Sequence, residues 1–395
     1  MAASPGTRRA ILILTWVVIV ATAITNVPRA YVDFAGLPLL EKIRQPEHYG
    51  TDTIADMYEA RVVLNDASDM YTKALVPQTA FEAHTWSKEA SAPYPPATLL
   101  AEAGLYALGT WSGVGFYGVI AALAFLFLAL SAWYAHRTRW YIFPLLYLSF
   151  SYLGERFFRV QDGSYLIMLN VVMAALVLAR QERTSAHLLM AVATTLKLSP
   201  AYYVRHLAAW SRPVAAAYIG ILALGLVVPI FIWENYLYIY TFHRDLKGGV
   251  ADTVAAIGIT LPFTVLLWYI ETRLPLQFED RIGWALVPGA MFMGLMSNTA
   301  RHLVLALLIP DRRGVRNVVA AVGLLLPAVL PGIVRPNSAL LICSALLVIS
   351  LAVYLGRIGW DVVIDDLRHP SRTVRMMLRD DQSPIGWSST TAPAV

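Results

Sequence analysis

The sequence predicts an all-α protein that crosses a membrane many times, with one long polar loop after its first helix. Three observations carry that expectation. Hydrophobic residues make up 57% of the 395 residues and charged residues only 14%. Apolar runs of the ~20 residues that a bilayer requires recur from end to end. Lys and Arg gather in short clusters at the ends of these runs, which is the charge asymmetry that orients membrane helices. The net charge of +5 is therefore read as topology, and nucleic acid is excluded as a partner. The one cysteine, Cys343, lies in an apolar run, so no disulfide framework is expected within the chain.

The elements follow in order. Arg8-Arg9 precede an apolar run, Ala10 to Val27, expected to be an uncleaved first helix that delivers Pro28 to the non-cytoplasmic side. Residues 28–97 then form the long polar loop. It holds Asp52 and Asp56 in Gly50-Thr51-Asp52-Thr53-Ile54-Ala55-Asp56-Met57-Tyr58 and ends on Pro93-Tyr94-Pro95-Pro96. Met57 to Leu64 is expected to be an amphipathic helix, with both aspartates at or before its start, where the helix dipole favours carboxylates. The prolines end the loop in extended backbone.

Ala97 to Leu108 is apolar but short of a full span. Ser112 to Tyr134 is a span returning to Arg137 and Arg139, and Trp140 to Gly154 leads to a charged link with Arg156, Arg159 and Asp162. Ser164 to Ala179 comes back to Arg180 and Arg183. Arg183 and the cluster from Arg205 to Arg212 both read as cytoplasmic, yet only one apolar stretch separates them, and it is broken at Lys197-Leu198-Ser199-Pro200. A hairpin that goes part-way in and returns reconciles the two ends.

Val214 to Trp233, Thr253 to Ile270, Trp284 to Asn298, Val315 to Pro331 and Ser338 to Leu355 are further spans. A polar loop with His243 and Arg244 separates the first two. A second interruption is expected around Asn298-Thr299-Ala300-Arg301-His302. The total is about ten to twelve transmembrane or re-entrant helices. Residues 1–365 read as a single transmembrane domain and 366–395 as a basic, then polar, partly disordered cytoplasmic tail.

Three features in this order resemble the bacterial GT-C glycosyltransferases that use polyprenyl-phosphate sugars, typified by the mycobacterial phosphatidylinositol-mannoside α-1,2-mannosyltransferases. The first is Asp52 or Asp56 soon after the first helix, with Tyr58, Ala60-Arg61 and Met70-Tyr71. The second is Tyr94-Pro95-Pro96 opening an apolar helix. The third is Gly163 leading into an apolar helix, followed by Lys197-Leu198-Ser199-Pro200. The chain departs from the pattern at Ser164-Tyr165-Leu166, where Gln and Asn usually follow the Gly, and at Arg301-His302, where His-His is common.

The resemblance implies a GT-C-like bundle in a bacterial plasma membrane. It implies inverting transfer of a sugar, mannose first among them, to a lipid or glycan hydroxyl at the outer face, with a polyprenyl-phosphate sugar as donor; no His/Cys/Asp cluster has ligand spacing, so no metal is expected, and no cofactor is expected. Such transfer needs a base for the acceptor hydroxyl and positive charge for the departing phosphate. Asp52 and Asp56 are the candidate base, Asp52 preferred, with helix capping as the plain alternative. Lys197, Arg301, His302, Arg156 and Arg159 are the candidate phosphate ligands. Tyr58, Tyr94, Pro95, Pro96, Asp162 and Asn298 are expected to line the site. Lys197 is the sharpest of these, because a lone charge inside an apolar stretch is costly unless used. A transporter or flippase for a lipid-linked sugar is the alternative.

Overall fold

The computed structural model describes residues 51–65, 71, 94–137, 163–179, 183–233, 236, 250–274, 276–296 and 336–379, with isolated positions between 303 and 322. Regular structure among the described residues is entirely helical. The helices are α1 (Thr51–Asn65), α2 (Pro96–Ser112), α3 (Gly115–Arg137), α4 (Gly163–Leu178), α5 (Arg183–Leu196), α6 (Arg212–Ile232), α7 (Val250–Arg273), α8 (Phe278–Ala285), α9 (Val287–Met296), α10 (Pro336–Ile358), α11 (Trp360–Arg368) and α12 (Pro370–Arg379), with a 3₁₀ segment at Ser199–Ala209 between α5 and α6.

Three stretches among the described residues are long and apolar enough to cross a membrane: Arg212–Ile232, Val254–Arg273 and Leu341–Ile358. Leu224, Phe231, Leu261 and Ile349 on these helices stand exposed, the pattern of a surface meant for lipid rather than water. Helix α4 is different. It is apolar on every side but only 16 residues long, and nearly all of it is buried. It is the central post of the bundle, flanked by α2, α3 and α5.

The break after α5 lies where the sequence places it. Helix α5 runs 14 residues, about 21 Å. The 3₁₀ segment then runs 11 residues, about 22 Å. The matched lengths bring the chain back beside its start. The His187 and Trp210 rings stand 4.1 Å apart, and His187 Nδ1 lies 3.0 Å from the Tyr203 hydroxyl. The returning segment is fixed to α7 by a buried ion pair, Arg205 Nε to Glu271 Oε2 at 2.6 Å, to which the Tyr202 hydroxyl adds a hydrogen bond of 3.0 Å.

One expectation changes at the start of the described chain. Helix α1 begins at Thr51, so Asp52 and Asp56 lie within it rather than before it. It is buried on several sides, at Asp56, Met57, Glu59, Ala60, Val62 and Val63, and is not the one-faced amphipathic helix expected. Residues 370–379 of the expected tail are helical, as are residues 360–368 before them. Residues 380–395 lie outside the described residues.

Close backbone approach constrains Gly289. A Cβ on Gly289 in α9 would meet the Ser199 backbone at 2.4 Å. Gly289→Ala is expected to lower stability by about 1–3 kcal/mol through overpacking. Gly258→Ala in α7, where a Cβ meets nothing within 4 Å, should be neutral or stabilising by up to about 1 kcal/mol. Thermal unfolding of the two detergent-purified variants checks the contrast, and equal melting temperatures would refute it.

Candidate functional site

The site forms where α1, α2, the N-terminus of α4 and the C-terminal end of α5 meet. Each contributes one part for a local reason. Pro95 is extended (φ −60°, ψ 152°) and Pro96 opens α2, because proline suits the first turn of a helix, where no N–H is needed. The Tyr94-Pro95-Pro96 turn is clamped from two directions. The Tyr71 hydroxyl donates to the Tyr94 carbonyl at 2.8 Å, and the Thr98 hydroxyl donates to the carbonyl of Leu196, the last residue of α5. The next residue is Lys197. Its ammonium therefore sits 4.7 Å from the Tyr94 ring and 5.3 Å from the Tyr165 ring, and donates to the Ser164 hydroxyl at 2.8 Å.

Asp56 reaches the same place from α1. Its Oδ2 accepts the backbone N–H of Gly163 at 3.0 Å, the first residue of α4. Helix N-termini carry unsatisfied donors and partial positive charge, so a carboxylate is held there electrostatically. Gly163 is required for the approach: a Cβ at that position would meet Asp56 Oδ2 at 2.8 Å and Ile120 at 3.1 Å. Asp56 thus caps α4 from another helix, and does so one residue away from the Ser164 hydroxyl that holds Lys197.

Two acids that the sequence reading passed over complete the site. A carboxylate oxygen from each of Asp56, Glu59 and Glu102 lies within 4.8 Å of the others. All are buried, at 1%, 3% and 0% exposure, and Lys197 is 8% exposed. Three buried carboxylates near one ammonium demand neutralisation. A divalent cation fits that spacing; a proton serves as well. Burial, and after it the neighbouring Asp56, push the Glu59 carboxyl well above the ordinary glutamate value of 4.5, with Lys197 pulling the other way. Neither Glu59 oxygen has a hydrogen-bond partner among the described residues. Glu59 is accordingly read as the neutral, protonated member of the group.

Glu102 had a signal in the sequence. It is a lone acid in the apolar run from Ala97 to Leu108, and the argument that singled out Lys197 applies to it equally. Glu59 stands three residues after Asp56, on the same face of a helix.

Of the residues expected from sequence, Asp56, Tyr94, Pro95, Pro96 and Lys197 come together. The backbones of Asp52 and Tyr58 lie in α1, but their side chains are outside the described residues. Arg156, Arg159, Asp162, His243, Arg244, Asn298, Arg301 and His302 also lie outside them.

No family model, no curated protein and no solved structure matches the chain.

A raised Glu59 pKa has a defined consequence. The folded state holds a proton there that the unfolded chain releases above about pH 4.5. Stability therefore falls as pH rises from that value through the raised folded pKa. Melting temperatures measured across this range should decline with pH in the wild type, and the decline should flatten in Glu59→Gln. A divalent cation held by the trio would give another result: melting temperature would rise with added Mg²⁺ or Mn²⁺ and drop with chelator.

Proposed function

We propose that the chain is a multi-pass, GT-C-like glycosyltransferase of a bacterial plasma membrane. It moves a sugar, mannose first among the candidates, from a polyprenyl-phosphate donor to a lipid or glycan hydroxyl at the outer face. The observation that carries this reading is the convergence of a buried carboxylate, Asp56, and a buried ammonium, Lys197, on adjacent residues at the start of α4. Transfer needs a base and an anion-holding cation in close company, in a site that excludes water.

The steps follow from the arrangement. Lys197 and the Ser164 hydroxyl hold the phosphate that links sugar to polyprenol. The acceptor hydroxyl attacks the anomeric carbon from the opposite face. The bond from that carbon to the phosphate oxygen breaks as the new glycosidic bond forms, which inverts the configuration. Asp56 takes the hydroxyl proton, and polyprenyl phosphate leaves with its charge against Lys197. A proton on Glu59 removes one of the like charges that would otherwise crowd Asp56. The base assigned here is Asp56, whose carboxylate is tied to the α4 terminus. Tyr94, held beside Lys197 by the Tyr-Pro-Pro turn, offers its ring to the sugar.

A second reading, a flippase for a lipid-linked sugar, is favoured by one observation. Two interrupted helical stretches, broken after Leu196 and at Leu286, pack on each other through Ser199 and Gly289. Interrupted helices at a shared site are a transporter trait.

Membranes carrying each variant, supplied with labelled polyprenyl-phosphate mannose and native lipid, separate the readings. Asp56→Asn keeps a capping side chain for α4 but loses the base, so transfer should fall by about 10²–10⁴-fold. Asp52→Asn should stay close to wild type. Full transfer by Asp56→Asn would sink the assignment of the base. Movement of labelled lipid across the bilayer without any transfer would favour the flippase.

A further inference from the structure

The C-terminal helices make a second surface, distant in sequence from the site and unrelated to sugar transfer. Helix α10 holds the candidate span Leu341–Ile358. One residue later, at Gly359, the backbone takes φ +101°, a conformation that side-chain-bearing residues rarely adopt. The chain turns there, and α11 starts at once. Helix α11 is tied by Asp366 to the end of another span: the Tyr269 hydroxyl donates to Asp366 Oδ2 at 2.7 Å, and Arg273 Nε donates to it at 2.9 Å. Arg273 closes the candidate span Val254–Arg273. Two membrane helices therefore end at the level of α11, and their ends mark the level of the bilayer surface.

One exposed stripe of α11 is apolar, flanked by exposed Asp361, Asp365 and Arg368. Trp360, Ile364 and Leu367 are 55%, 47% and 74% exposed, and their spacing of four and three residues aligns them on one face. The other face, with Val363 and Asp366, is buried against the bundle. Helix α12 repeats the arrangement with exposed Val374 and Leu378 four residues apart. Exposed arginines border the stripes: Arg357, Arg368, Arg372 and Arg375. Asp365 is engaged by His369 at 3.3 Å and by Arg372 at 3.7 Å, and Asp361 is a second exposed acid on α11.

We propose that α11 and α12 form an interfacial platform that docks on anionic lipid headgroups, with Trp360, Ile364, Leu367, Val374 and Leu378 in the acyl boundary and the arginines on the phosphates. An apolar stripe bordered by arginine, at bilayer-surface level, has the composition of a helix lying in the membrane plane. The leaflet is the one that arginine-rich ends face, the cytoplasmic leaflet. A protein partner would need a reason for the stripe to start two residues beyond a span; a lipid surface supplies it. The inference depends on the membrane reading alone and survives failure of the transferase reading.

The sole cysteine makes the test clean. In a Cys343→Ala background, Leu367→Cys on the apolar stripe and Ser371→Cys, an exposed polar position in α12, each carry an environment-sensitive fluorophore. The full chain is placed in nanodiscs of phosphatidylcholine, with or without phosphatidylglycerol, and quenched with neutral acrylamide. The Leu367 probe should be shielded and the Ser371 probe open. Shielding should grow with phosphatidylglycerol. Each of Arg368→Gln, Arg372→Gln and Arg375→Gln should reduce the preference for the anionic discs about fivefold. Ile364→Cys serves as a second probe if labelled Leu367→Cys does not fold. Equal quenching of the two probes overturns the docking. Equal shielding in neutral and anionic discs overturns the headgroup recognition. Shielding only in discs holding two copies reassigns the face to a second copy and overturns the lipid assignment.

Discussion

Burying Lys197 beside three carboxylates is the constraint on which the rest of this structure depends. An isolated charge in an apolar interior is prohibitively costly, so each neighbour must bring a donor, an acceptor or a proton. Ser164 accepts from the ammonium, the Tyr94 and Tyr165 rings face it, and Asp56 is tied to the first N–H of α4. The low dielectric that makes such a group expensive also strengthens every interaction inside it. A water-excluding site with a fixed carboxylate and a fixed ammonium has what acid–base chemistry on a phosphate-linked substrate demands.

The helices around the site serve mainly to hold these groups in place. Helix α4 is short and mostly apolar, so it is buried at the centre and its N-terminus becomes the fixed point. The break after Leu196 frees Lys197 from helical geometry, and the Thr98 bond to Leu196 ties that break to the Tyr-Pro-Pro turn. The Arg205–Glu271 pair then anchors the returning 3₁₀ segment to α7. A buried pair of this kind adds little net stability against an apolar substitute, but losing one partner is severe. Its value here is to fix the path of the chain that leaves Lys197.

Much of this was legible in the sequence, and the limits have physical causes. Lys197 announced itself as a charge in an apolar stretch, the hairpin followed from two arginine clusters with too little chain between them, and the prolines fixed where α2 begins. The choice between Asp52 and Asp56 was not legible. They stand one helical turn apart, and α1 is buried on several sides, so no single apolar face sets its register. Glu59 was masked by ordinary helix-surface statistics, in which a glutamate reads as solvated unless its tertiary neighbours are known, whereas Glu102 was legible as a lone acid in an apolar run. The tail was legible only as basic and polar. Its many arginines lower the mean hydropathy and hide two apolar stripes that only helical spacing brings together.

The role of Lys197 is the most direct point of decision. The decisive measurement is donor affinity, by photo-crosslinking of a diazirine-bearing polyprenyl-phosphate mannose to wild type, Lys197→Met and Asp56→Asn. If the ammonium holds the phosphate and the carboxylate only receives the proton, Lys197→Met loses affinity by about tenfold or more while Asp56→Asn binds as the wild type does. Wild-type affinity in Lys197→Met would contradict the account, because the buried charge that organises the site would then have no substrate to meet.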